Sequence, residues 1–170
     1  MKLLFNVALF QIGWFASVLG AAHDRPYLGP LIVGVALAVH LRFFATKREG
    51  FLILASALLG AVAESAIGLT GVIAYRADPP PSWLCPPWIV AMWTNFSLTL
   101  RHSLRWLERR FVLAAIAGAV GGPLAYLTGR RLGAIELIEP VAAILLLAAL
   151  WRIALLLLFA MSRHLKKNQA

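Results

Sequence analysis

Six apolar stretches, separated by short segments rich in charges, glycine or proline, order this chain of 170 residues. A helix needs about 20 mainly apolar residues to cross a hydrocarbon core of roughly 30 Å. The pattern predicts spans at Leu3–Ala22, Tyr27–Ala45, Phe51–Tyr75, Trp88–Leu107, Phe111–Gly129 and Val141–Met161. The breaks fall at His23–Pro26, Thr46–Gly50, Ala77–Pro87, Leu107–Arg110 and Arg130–Pro140, where turn and breaker residues gather. Proline lacks the helical N–H donor, so the run DPPPSWLCPP reads as an extended cap on one membrane face. Trp83 and Trp88 in and beside that run suit the interface. Pro140 suits the first turn of the last helix. The expected fold is all-α: one transmembrane domain over residues 1–170, a bundle of six membrane-spanning helices.

Composition narrows the class further. A hydrophobic share of 61% exceeds the 45–50% or so of soluble domains. The formal charge of +9 raises the question of nucleic acid, but the basic residues sit between apolar blocks, as topology determinants do. No nucleic-acid partner is expected. With the N-terminus inside, eleven basic residues face the cytoplasm: Lys2, Arg42, Lys47, Arg48, Arg101, Arg105, Arg109, Arg110, Arg163, Lys166 and Lys167. Four face outward (Arg25, Arg76, Arg130 and Arg131), with Arg152 left inside the last span. That bias places both termini in the cytoplasm. Asn6, Gln11, Trp14 and Phe15 make the first segment a poor signal-peptide core, so it reads as a retained span. The single cysteine, Cys85, leaves no intrachain disulfide and no multi-cysteine metal site.

Polar residues inside the predicted spans carry the candidate chemistry. Counted at about 1.5 Å per residue from the outer helix ends, Gln11, His40, Glu64, Arg101, His102 and Arg152 fall within roughly 5 Å of one depth. A charge there costs on the order of 2.5–3.5 kcal/mol, so these groups should face the interior and pair. Glu64 is the only acid in the belt, and its expected partner is Arg101 or Arg152. Asn95 and Thr99 share a helical face with His102, and Arg101 and Arg105 form an adjoining i, i+4 pair. Gln11, His40, Glu64, Asn95 and Thr99 are therefore expected in an internal polar network. Arg101, Arg105, His102 and Arg152 are the candidate ligands of an anion or a lipid headgroup. The plainer alternative is a hydrogen-bonded interior face plus ordinary topology charges. His40, His102 and Glu64 also make a weak metal-ligand set with no tight spacing, so no metal and no cofactor is assigned.

Small residues recur at helical spacing: Gly60, Glu64, Gly68, Gly71 and Tyr75 in the third span, Gly118, Gly122, Tyr126 and Gly129 in the fifth. Close backbone approach drives helix association in lipid, so these read as packing seams. Pro123 should kink the fifth span, and the tripeptide GPL at Gly29 and at Gly122 hints at an inverted repeat.

The blocks NVALFQIGWFASVLGAA, GPLIVGVALAVHL, WTNFSLTLRHSLRWL and GGPLAYLTGRRLGA resemble, in order and over nearly the whole chain, an uncharacterised family of small bacterial inner-membrane proteins. That family is a domain of unknown function, and no motif in it carries an assigned chemistry. Its genes often sit near enzymes resembling cyclopropane-fatty-acid synthases. The resemblance thus implies a role tied to membrane lipid or fatty-acid modification. The expected function is a lipid-binding or accessory protein of the bacterial inner membrane, with anionic lipids and a membrane enzyme as partners. The alternatives are a membrane-embedded lipid-modifying enzyme and a small-solute or lipid transporter. No catalytic residue is assigned, because no nucleophile dyad or metal motif is present.

Overall fold

The computed structural model describes residues 2–46, 48–77 and 83–167. Residues 78–82 of the proline-rich cap and Lys47 lie outside the described residues, as do the side chains of Lys2, Lys166 and Lys167. The order is α1 (Lys2–Ala22), α2 (Leu28–Phe43), α3 (Glu49–Leu69), β1 (Ile73–Tyr75), α4 (Pro87–Leu100), α5 (Phe111–Arg131), β2 (Ile135–Leu137) and α6 (Pro140–Lys167). A 3-10 turn at Arg105–Leu107 links α4 to α5.

The architecture is helical, with six α-helices among the described residues. Four of them, α1, α3, α5 and α6, are long and apolar enough to cross a membrane. The 16 residues of α2 are apolar but short, and α4 has only 14. α4 is the buried centre: it packs against α1, α2, α3 and α6, and Trp88, Trp93, Asn95, Ser97 and Leu100 are almost wholly enclosed. A short apolar helix surrounded by others needs no amphipathic stripe. α1 joins the same core through Trp14, Val18 and Ala21.

Two spans stop short of their expected ends, and the last runs past its own, to Lys167 rather than Met161. The third helix stops at Leu69 rather than Tyr75, because Gly71 takes a left-handed conformation (φ +72°) that reverses the chain. The following residues form β1, paired antiparallel with β2 in the register Ile73–Leu137, Ala74–Glu136 and Tyr75–Ile135. The pleat buries Ile73, Tyr75, Ile135 and Leu137 while Ala74 and Glu136 stay exposed. The fourth helix stops at Leu100 rather than Leu107. Its hydroxyls bond back to its own carbonyls (Ser97 to Thr94, Thr99 to Phe96, both 2.6 Å), which weakens a helix end. The Thr99 carbonyl then accepts the N–H groups of His102 and Leu104. Trp88, expected at the interface, is buried and donates Nε1–H to the Arg76 carbonyl at 3.1 Å.

Glycines mark the tightest crossings. A Cβ at Gly60 would fall inside the indole of Trp93, and one at Gly118 would meet the Trp151 backbone. The ends of the bundle differ in character. Phe5 touches Phe44, and Arg101 reaches Ser162, so the basic residues Arg42, Arg48, Arg101, Arg105, Arg109, Arg110 and Arg163 gather at one end. The two-stranded sheet and an exposed Arg76–Asp24 contact of 3.5 Å lie at the other.

Candidate functional site

The polar groups do not form one belt. Glu49 and Glu64 lie 15 residues apart on α3, or about 22 Å along its axis, and each anchors a separate cluster. With the helix ending at Leu69, Glu64 is only five residues, about 8 Å, from that end.

The Glu64 cluster is built from neutral donors. Tyr75 returns on β1 to donate its hydroxyl to Oε2 at 2.7 Å, Trp93 of α4 donates Nε1–H to Oε1 at 3.0 Å, and Tyr126 of α5 donates to the same Oε1. Glu64 is fully buried. The ion pair expected with Arg101 or Arg152 is replaced by these three bonds. Three donors can compensate a buried carboxyl group that, among the described residues, has no cation paired with it.

The second cluster sits where α2 and α4 end and α3 begins. Oε1 of Glu49 receives Nε2 of His40 at 2.9 Å and Nε2 of His102 at 3.1 Å. Oε2 accepts the backbone N–H and the hydroxyl of Thr46, each at 2.8 Å. Thr46 Oγ1 in turn accepts Nη1–H of Arg101 at 2.9 Å. The same guanidinium donates Nε–H to Ser162 Oγ and Nη2–H to the Ser162 carbonyl, both at 3.2 Å, and Ser162 Oγ donates to Glu108 Oε1 at 2.9 Å. Arg101 is therefore turned into the bundle and buried rather than snorkelling outward.

A third feature lies between α1 and α5, which do not pack closely on each other. A partly open cavity of about 530 Å³ fills that gap, floored by α4 and α6. Trp14, Trp88, Trp93, Phe96, Tyr126 and Trp151 give it an aromatic wall, with Gly118, Gly121 and Gly122 opening room along α5. Trp93 stacks on Trp151 at 4.5 Å and 18°. Trp93 and Tyr126 thus present their rings to the groove while their polar tips hold Glu64 behind it.

The sequence-derived residues scatter over these features. His40, His102 and Arg101 come together, but around Glu49 instead of Glu64. Arg105 is exposed on the 3-10 turn and makes no cluster with them. Arg152 is exposed midway along α6, ten residues or about 15 Å from Ser162, so it does not share an anion with Arg101. Gln11 is exposed on the groove wall rather than joined to Glu64. Asn95 donates Nδ2–H to the Phe10 carbonyl at 2.8 Å, and Thr99 bonds within its own helix. Glu49, Thr46, Ser162, Tyr75 and Trp93 were missed as site residues. Glu49 falls in the expected break Thr46–Gly50, although a Thr followed three residues later by Glu before an apolar run is a helix-start signature.

Four helices long and apolar enough to cross a membrane define a multi-pass membrane protein. Residues 3–157 match the family described as Protein of unknown function (DUF2878), and the chain belongs to that family. No curated protein and no solved structure matches it.

Proposed function

We propose that this protein binds the hydrocarbon part of a membrane lipid or fatty acid in the groove between α1 and α5, as an accessory factor in lipid modification. The groove itself carries the reading. Its volume falls within the roughly 300–1,000 Å³ of small-molecule sites, and its wall is aromatic and apolar. Exposed Phe15 and Leu124 flank it, so it opens sideways, where acyl chains would enter from the bilayer. The link to lipid modification rests on the family resemblance. In this reading all six helices traverse or line the membrane, the inner one of a bacterial cell, with both termini and the arginine-rich end in the cytoplasm. The transport alternative keeps only Pro123 and the repeated GPL tripeptide, since the single-depth belt divides into two clusters.

Gly121 lines the groove, and a Cβ there meets no atom within 4 Å. Gly121→Phe is therefore expected to fill the groove without straining the fold. Electron paramagnetic resonance of spin-labelled stearate with the purified wild type should show an immobilised component, and the variant should lose most of it. Equal immobilisation in both proteins would refute the groove as the binding site.

A further inference from the structure

We infer that His40, Glu49 and His102 form a binding site for a first-row divalent transition-metal ion at the arginine-rich end of the bundle. This inference stands independently of the lipid groove. Their ligand atoms, two imidazole nitrogens and one carboxylate oxygen, all lie within 4.8 Å of one another. Around a tetrahedral ion with bonds of about 2.0–2.1 Å, ligand atoms sit roughly 3.3–3.4 Å apart. The two histidine–glutamate separations, 2.9 and 3.1 Å, are close to that edge. A small rotation of His102, whose side chain is partly exposed, closes the remaining gap between the imidazoles. The rings already stand perpendicular with centroids 4.9 Å apart.

The surroundings are those of a held ligand set. Glu49 and His40 are buried, so their donor atoms are fixed and poorly hydrated. Glu49 commits Oε2 to Thr46 and leaves Oε1 as a monodentate ligand; Thr46 is itself held by Arg101. Such outer contacts orient metal-binding carboxylates. Two imidazoles and one carboxylate favour zinc, iron or cobalt over calcium and magnesium, which take oxygen donors. Three protein ligands leave a further position for water or a substrate oxygen, as in catalytic rather than structural zinc sites. His102 provides the open side.

The test is a Co²⁺ titration of the full, untagged chain in detergent after chelator treatment, read by visible absorption and repeated with Zn²⁺ as competitor. One saturable equivalent, displaced by Zn²⁺, is expected. His102→Gln, at a partly exposed position, should weaken Co²⁺ binding at least about 100-fold while far-UV circular dichroism stays unchanged. Thr46→Val, which keeps all three ligands, should weaken it about 10-fold with the same absorption bands, the size of an outer-contact effect. Absence of saturable binding by the wild type overturns the inference without reference to any variant. Binding that survives His102→Gln at full strength, or that is lost instead in His23→Gln or His164→Gln, overturns it as well.

Discussion

Glu64→Ala is expected to lower the unfolding free energy by about 3–5 kcal/mol, measured by reversible denaturation in mixed micelles or bicelles. The change removes the carboxylate acceptor of three donors, the hydroxyls of Tyr75 and Tyr126 and the indole N–H of Trp93, in a fully buried site. Each unsatisfied buried donor costs roughly 1–3 kcal/mol, and partial repartnering keeps the sum below the maximum. Glu64→Gln should cost less, about 1–2 kcal/mol, because its oxygen can still accept from Trp93 and Tyr126 while the Tyr75 hydroxyl rotates to accept. A double-mutant cycle separates this account from an ion pair. Glu64→Gln and Arg152→Leu should be additive within about 0.5 kcal/mol, as independent sites are. Coupling above about 1 kcal/mol would restore the salt bridge that the structure replaces.

Gly60→Ala is expected to destabilise by about 3 kcal/mol, at the upper end of overpacking costs. The added methyl would occupy the indole of Trp93, and that ring cannot retreat. It is 1% exposed, tied to Glu64 and stacked on Trp151, so its displacement breaks two contacts. Gly34→Ala in α2 is the matched control, since no atom lies within 4 Å of its Cβ. There the helix propensity of alanine should raise stability by up to about 1 kcal/mol. Opposite signs at the two positions, read from denaturation midpoints in the same micelles, would show that contact and not backbone entropy decides the outcome.

The long apolar runs made the helices legible, because 20-residue hydrophobic stretches have few other uses. The glycine stripes announced part of the seams: Gly60, Gly118 and Gly122 sit where neighbouring backbones or rings approach most closely, whereas Gly71 lies past the helix end with no atom within 4 Å of its Cβ. Illegible were the two places where a span stops early. Composition gives no warning that Val72 to Tyr75 leaves the helix, since its residues suit either a strand or a membrane helix. That error moved Glu64 about 9 Å in depth, from eleven residues below the helix end to five, and so placed it in the apparent belt. Thr99 to Arg105 carries no glycine or proline, so α4 was read through its true end. The site residues that sequence missed are tertiary in origin. Tyr75 reaches Glu64 only because a strand folds back, and Glu49 meets His102 across 53 residues.

The lipid groove is tested most directly by native mass spectrometry of the protein released from micelles with its co-purified lipids. The wild type should retain one acyl-chain lipid or fatty acid per groove. Gly121→Phe should lose most of that mass, while Arg152→Leu, on the exposed face of α6, should keep it. Equal retention by the wild type and Gly121→Phe, or a bare wild type, would contradict the account.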